Sequence, residues 1–586
     1  MIKKLEWLKQ EQRQFLSQGY LDKNETPEQR FQTIADTIQK YVDLQFKRKS
    51  LKGKLAVFKG NLDDIEGYSV LKNIGKRFEN YFEKGWVSLS TPVLKNFGKK
   101  DNLPISCNFS IAEDCLHGIY DRLKETGMLA KYGAGTAVNF SDIRPIGSDI
   151  STGGKSNSVL DWIELYADMM SKTAQNRARR GFLTAYLSVD HPEILDFLDI
   201  GTERIPADKQ RFFQTITTGV TIPEGWREDL KQNPEKRKIF TKVLNTRKET
   251  GFPYIIDLTN ANQQAPQVYK DKGLKITSSN ICSEVIEYCD YEKTFACCLS
   301  SVNLYYFDEW KDNESFIFDM NILLDCVIEE YIEKGSRLEG IEAAIKFAKE
   351  HRSIGLGVTG FVTYLQKNNI AIGDLESFQK NFQIFSLLKK ESDRASRWMA
   401  RVWGESKILK GYGERNTTRI AQAPKKSTTF IDGGTHLALS EGIEPHKTNY
   451  GEKKLAKIQV TFKNKELEKL LELKEKNTRE VWDSIADYNG SVQHLDFLTK
   501  HEKNVFKTFS EVSQADIIKL AAQRQKFIDQ GQSINIMIHP DTPAKDLIKL
   551  HLMAFDEGLK SLYYQYSINA AQKFSQELLT CSSCEG

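Results

Sequence analysis

The chain has 586 residues, of which 40% are hydrophobic, 28% charged and 11% aromatic, with 14 prolines and 37 glycines. That make-up belongs to a globular chain able to bury a large core, and it excludes collagen, a disordered chain and a disulfide-rich miniprotein. Lysine plus arginine number 83 against 79 acidic residues, and the formal charge of +4 is too small to signal a nucleic-acid partner.

In chain order, the opening MIKKLEWLKQEQRQF has lysines but no uninterrupted apolar stretch. No later segment reaches the ~18 apolar residues of a membrane span, so a cytoplasmic chain with no membrane partner is expected. Thr26 reads as an N-cap, with Pro27 at the first helical position and Gln29 closing a capping box; Phe31, Ile34, Ala35 and Ile38 follow at helical spacing. Residues 1–85 are therefore expected to be a helical N-terminal region. From Trp86 onward short apolar runs (TAVNF, FLTAYLSV, CLSSVNLYYF) alternate with longer amphipathic stretches, the pattern of an α/β body.

Asn280, Cys282 and Glu284 in SSNICSEV stand two residues apart, so an extended segment would project a thiol, an amide and a carboxylate from one face. The glycines of IGLGVTG match a dinucleotide-binding spacing, but the segment before them is helical in pattern, which favours close helix packing or a turn. The Lys- and Glu-rich stretch 447–480 reads as a solvated helix with internal ion pairs. Thr542 and Pro543 open a helix that Gly558 closes, and SLYYQY then reads as a strand. The nine cysteines are odd in number and lack a secretion signal, which favours reduced thiols. No second ligand pair accompanies Cys581 and Cys584 in the terminal CSSCEG, so these read as a mobile dithiol and no metal site is expected.

Taken in order, STP at Ser90, SC at Ser106, NICSE at Asn280, CCLSSVNL at Cys297, PKKSTT at Pro424, LYYQ at Leu562 and the final CSSC make the chain resemble the large catalytic subunit of class I ribonucleotide reductase. The resemblance implies a ten-stranded α/β barrel of two antiparallel five-stranded halves over residues 86–570, with Cys282 on a loop inside it and a flexible redox-active tail at 571–586. It implies an oxidoreductase that converts ribonucleoside diphosphates to 2′-deoxyribonucleoside diphosphates. Cys282 would carry a thiyl radical, Glu284 would be the base on the 3′-hydroxyl and Asn280 would bond the substrate hydroxyls. Cys107 and Cys297 would be the reducing dithiol. Cys298 beside Cys297 departs from the family's single cysteine, and gap-free spacing to Asn303 favours Cys297. Tyr563 and Tyr564 resemble a stacked pair relaying a radical from a small, metal-containing partner subunit, and Cys581 and Cys584 would carry electrons from thioredoxin or glutaredoxin. Substrate contacts would come from Thr91, Ser106, Pro424, Ser427, Thr428 and Thr429. Effector nucleotides, dNTP or ATP with Mg2+, would meet Asp114, Arg144, Gln175 and Arg179 at a homodimer interface, although the arginine-rich QNRARRG departs from the family's glycine-rich loop. Too little sequence precedes Cys107 for an ATP-cone, so no overall-activity site is expected. No cofactor is expected to be tightly bound in this chain. The alternatives are an adenosylcobalamin-dependent reductase of the same barrel family and a non-catalytic nucleotide-binding regulator.

Overall fold

The computed structural model describes residues 1–50, 61–100, 102–173, 182–202, 204, 216–425, 427–433, 442–455 and 458–567. Gln175, Arg179, Cys581 and Cys584 lie outside the described residues, as does the 571–586 tail. The strands used below are β1 (Val87–Leu89), β2 (Cys107–Ile111), β3 (Gly135–Asn139), β4 (Leu183–Ser188), β5 (Ile216–Ile222), β6 (Tyr254–Asp257), β7 (Phe295–Asn303), β8 (Ile354–Thr359), β9 (Ile536–Ile538), β10 (Ser561–Leu562) and β11 (Gln565–Ser567). The helices are α1 (Pro27–Ser50), α2 (Ile74–Glu83), α3 (Leu116–Lys131), α4 (Val159–Thr173), α5 (Phe316–Gly335), α6 (Leu375–Trp403), α7 (Ser427–Gly433) and α8 (Ala544–Asp556).

Strands β2 to β6 pair in parallel in chain order. Their near-continuous apolar and threonine runs are buried on both faces, as parallel strands covered by helices require. β7 joins β2 antiparallel and β8 parallel, while β10 joins β6 antiparallel. Between β8 and β10 the circuit continues through single parallel bridges, Leu356 to Ile420 and Gln422 to Gln532. The Ile534 carbonyl then accepts from the Tyr563 N–H, the Tyr564 carbonyl accepts from the Ile536 N–H, and β9 pairs in parallel with β11. Two internally parallel halves thus meet antiparallel at β2–β7 and β6–β10. Among the described residues, continuous pairing joins nine strands in the main sheet, including β1 on β7, because the segments around 420–422 and 532 touch their neighbours only at isolated positions.

Of the IGLGVTG glycines, Gly355 and Gly357 lie in β8 itself, packed against strands and not against a helix, while Gly360 makes the expected turn, capping the next helix (Phe361–Lys367) at φ +79°. A Cβ on Gly355 would overlap the Leu299 side chain, and one on Gly357 would stand 2.7 Å from the Ala421 carbonyl oxygen. They allow β8 to approach its neighbours closely. The capping box forms as the sequence reads: the Gln29 N–H donates to Thr26 Oγ1 at 3.2 Å and the Thr26 N–H to Gln29 Oε1 at 2.8 Å. Ile34 and Ile38 of α1 and Phe78 of α2 share one apolar cluster with Val302 and Leu356 of the barrel wall, so the helical N-terminal region packs onto the barrel without a core of its own. The stretch 447–480 is a hairpin (Tyr450–Leu455 with Ile458–Lys463) followed by helices Lys465–Leu473 and Arg479–Asp487, in place of one solvated helix. Among the described residues no helix is long and apolar enough to cross a membrane.

Candidate active site

The segment 280–283 is a turn, not the extended strand its spacing suggests. The Ser283 N–H donates to the Asn280 carbonyl at 3.3 Å, and Ser283 adopts φ +65°, a left-handed conformation uncommon outside glycine. The turn still brings two of the three side chains together: Asn280 Nδ2 donates to Glu284 Oε1 at 3.0 Å while its Oδ1 accepts from the Val285 N–H at 3.0 Å. Neighbouring strands hold the loop from outside. Tyr186 of β4 donates to the Asn280 carbonyl at 2.8 Å, and Ser561 of β10 donates to the Ser283 carbonyl at 2.8 Å. Ser533 Oγ lies 2.5 Å from the Cys282 carbonyl and 2.9 Å from Glu284 Oε2. Cys282 itself is 6% exposed.

The Tyr563 hydroxyl lies 3.6 Å from Cys282 Sγ. Its ring centroid is 4.5 Å from that of Tyr564, with the planes at 62°, so the expected stacked pair is an edge-on pair. Tyr254 of β6 joins both rings, at 4.6 Å from Tyr563 and 5.2 Å from Tyr564. SLYYQY is therefore two short strands interrupted at the two tyrosines, which turn from the sheet toward the loop.

Cys107 and Cys297 are direct cross-strand partners in the β2–β7 pairing. Opposed residues of an antiparallel pair have Cα atoms ~4.5–5.5 Å apart, inside the ~4.4–6.8 Å that a disulfide spans. Alternation along β7 separates the two adjacent cysteines. Cys297 faces inward with Phe109, Leu299 and Ala421, while Cys298 packs in the outer cluster with Leu324 and Ile354. Burial pushes the Cys297 thiol well above its ordinary pKa, and the nearby Glu287 charge adds to that rise.

Of the expected substrate contacts, Thr91 opens a short helix directly after β1, Ser106 immediately precedes Cys107, and Pro424 leads into α7. Thr428 and Thr429 are buried in the first turn of α7; the Ser427 side chain is outside the described set. Lys425, which the motif match does not need, is buried here and close enough to Asp432, Glu284 and Cys107 to feel their charges. Burial pushes its ammonium down and the Asp432 carboxyl up. Of the expected effector contacts, Arg144 Nε donates to Asp114 Oδ2 at 2.9 Å and the Arg144 N–H to Asp114 Oδ1 at 3.1 Å. This ion pair adjoins the exposed Leu116 and Tyr120 of α3.

Sequence reasoning missed Ser533, Ser561, Tyr186 and Lys425. Only Lys425 had a signal, its place inside PKKSTT. The others are two serines and a tyrosine with no motif of their own, Tyr186 within FLTAYLSV, Ser561 at the start of SLYYQY and Ser533 beside the bridge at Gln532.

A family model described as the ribonucleotide reductase barrel domain matches residues 105–236, 225–408 and 403–565. The chain is 31% identical to the ribonucleoside-diphosphate reductase large subunit of Invertebrate iridescent virus 3, over 88% of this chain and 92% of that protein. It is 25% identical to the ribonucleoside-diphosphate reductase large chain of Schizosaccharomyces pombe, over 85% of this chain and 69% of the relative. Among solved structures, the Actinobacillus ureae class Id ribonucleotide reductase alpha subunit matches with a TM-score of 0.85 and 41% identity, over 98% of this chain and 99% of that one.

Proposed function

Because the chain belongs to the class I ribonucleotide reductase large subunits, we propose that it reduces ribonucleoside diphosphates to deoxyribonucleoside diphosphates by radical chemistry begun at Cys282. Hydroxide is a poor leaving group from an unactivated sugar carbon, and a radical at the adjacent C3′ removes that obstacle. In this reading a metal-containing partner subunit supplies the oxidising equivalent. Tyr564 and Tyr563 pass it inward, and the Tyr563 phenoxyl takes the hydrogen of the Cys282 S–H. The Cys282 thiyl then takes the 3′ hydrogen atom, and Glu284 accepts the 3′-hydroxyl proton while Asn280 orients the sugar hydroxyls. Water leaves C2′ with a proton from one thiol of the Cys107–Cys297 pair, which delivers two electrons to the sugar and closes as a disulfide; the Cys282 S–H then returns its hydrogen atom to C3′, Glu284 returns the proton to the 3′ oxygen, and the re-formed thiyl takes a hydrogen atom back from the Tyr563 hydroxyl. Ser427, Thr428, Thr429 and the turn after Pro424 hold the diphosphate, with the Lys425 ammonium adding charge beside it. Thr91 and Ser106 bound the sugar side.

The observation that carries this reading is the contact of Tyr563 with Cys282 beside the Asn280–Glu284 pair, with two further thiols in register across one strand pair. We read residues 1–85 as the helical lead-in, 86–570 as the catalytic barrel and 571–586 as the tail whose Cys581 and Cys584 return electrons from a thioredoxin- or glutaredoxin-type dithiol. Asp114 and Arg144, with Gln175 and Arg179, serve a dNTP or ATP effector with Mg2+ at a homodimer interface. The test is peptide mapping after turnover without added dithiol, in a chain carrying Cys581→Ser and Cys584→Ser. One Cys107–Cys297 disulfide per deoxynucleotide formed is expected; product without that disulfide refutes the assignment.

A further inference from the structure

Behind Cys297 a chain of buried polar groups leads away from the substrate side. Gln530 Nε2 lies 3.3 Å from Cys297 Sγ, 2.8 Å from Thr418 Oγ1 and 2.9 Å from the Ile354 carbonyl oxygen. Thr418 Oγ1 lies 2.5 Å from Glu287 Oε1 and 3.3 Å from the same Ile354 oxygen. Glu287, Thr418 and Gln530 are all 0% exposed. A carboxyl so placed is costly to bury, and none of the steps above uses it.

Resting on the dithiol reading above, the geometry points to Glu287 as a positioning residue for re-reduction of the Cys107–Cys297 disulfide, acting on Cys297 through Thr418 and Gln530. In that step the thiolate of an incoming dithiol attacks one sulfur. A new S–S bond forms to it, the old S–S bond breaks, and the electron pair leaves on the other sulfur, which then takes a proton. Cys107 is partly exposed and Cys297 is 1% exposed. Attack therefore falls on Cys107, and Cys297 departs as thiolate. The step quickens as the leaving thiol becomes more acidic.

The hydrogen bonds offer two arrangements. Gln530 has two N–H groups for three acceptors. While Glu287 is ionised, Thr418 donates to it and its oxygen accepts from Gln530. Once Glu287 is protonated, its own O–H donates to the Thr418 oxygen, and Thr418 turns its hydrogen to the Ile354 carbonyl. One Gln530 N–H is then released to Cys297 Sγ, and the opposing negative charge is gone. Both effects favour the leaving thiolate.

The switch falls in a useful range, since burial pushes the Glu287 carboxyl up to about 7 against the pull of the Thr418 and Ser353 hydroxyls. Its other charged or titratable neighbours do not change over that range. Asp529 stays ionised: burial raises it, but Arg419 and Lys389 outweigh this. Burial holds Tyr269 far above neutral and the His351 imidazole, beside Tyr269, down at about 3.

The test uses the full-length chain with Cys581→Ser and Cys584→Ser, oxidised by turnover, with dithiothreitol as reductant. Reduction rates are divided by the dithiothreitol thiolate concentration between about pH 5.5 and 8.5. The corrected rate should fall roughly fivefold as pH rises through the Glu287 titration, and Glu287→Gln should remove the fall and keep the faster rate throughout. Thr418→Val, which cuts the hydrogen-bonded link but keeps the charge, should shrink the fall. The same pH profile in Glu287→Gln as in the parent overturns the inference, and so does an undiminished fall in Thr418→Val if the glutamine variant does not fold. Failure to recover any Cys107–Cys297 disulfide after turnover overturns the dithiol reading itself, and this inference with it.

Discussion

Ser533 shows how one hydroxyl can serve two parts of the same site. It meets both the Cys282 carbonyl and the Glu284 carboxylate, so it fixes the spacing between Cys282 and Glu284. Replacing it with alanine leaves a buried carboxylate oxygen short of one donor, which costs about 1 kcal/mol of stability. Ser533→Ala is expected to lower the turnover number about tenfold with little change in KM, and steady-state kinetics beside urea unfolding would check this. An unaltered turnover number would place Ser533 outside the working geometry. At this scale the sequence was informative wherever chemistry and motif coincide: Asn280, Cys282, Glu284, Cys297 and Tyr563 carry distinctive groups in distinctive company. Ser533 carries neither, since it meets Glu284 only through a contact that spans 249 positions.

Elements set the loop in place through two devices, both about close packing. In β5, Gly219 leaves room for the Tyr186 ring, which a Cβ there would overlap, and that ring carries the hydroxyl bonded to the Asn280 carbonyl. Gly219→Ala is expected to displace the ring and cut turnover at least about tenfold, while costing ~1–3 kcal/mol as an overpacked site; parallel assays of activity and thermal unfolding would show it. The second device joins α5 to the segments leading into β8 and the 420–422 bridge. Asp325 accepts from Arg352 at 2.9 and 3.0 Å, from Arg415 at 3.0 Å and from Asn416 at 3.1 Å. Burial raises its pKa, but Arg352 and Arg415 outweigh that and hold the carboxyl well below the usual range. Its contribution is therefore fully present above about pH 4, the ordinary aspartate value, and is lost as the pH falls through the folded value. Asp325→Asn should cost ~3–5 kcal/mol at neutral pH, with the gap to the parent closing below pH 4 in urea titrations. Helix ends were legible in the sequence because caps are local: Thr26, Pro27 and Gln29 announce α1. The glycines of β8 were not, because the same spacing serves a phosphate loop or a tight strand, and only the neighbours decide.

For the whole molecule, the barrel brings together residues far apart in the chain, from Cys107 to Tyr563. Its two antiparallel seams have distinct jobs: β2–β7 sets Cys107 against Cys297, and β6–β10 brings Tyr254 to the tyrosine pair beside Cys282. The alternation of short apolar runs and amphipathic stretches made the α/β class legible. Closure was not, because the 420–422 and 532 segments join by single bridges and leave no run of paired residues to read. If the sulfur at 282 starts the chemistry, as proposed, and the closed scaffold holds it in place, product formation must depend on that one atom. The direct measurement is deoxyribonucleoside diphosphate formation by the parent chain and by Cys282→Ser, each supplied with the radical-generating partner subunit and a dithiol, with substrate binding measured alongside. The parent is expected to form product and the variant none at equal binding; equal product from both would rule out Cys282 as the starting point.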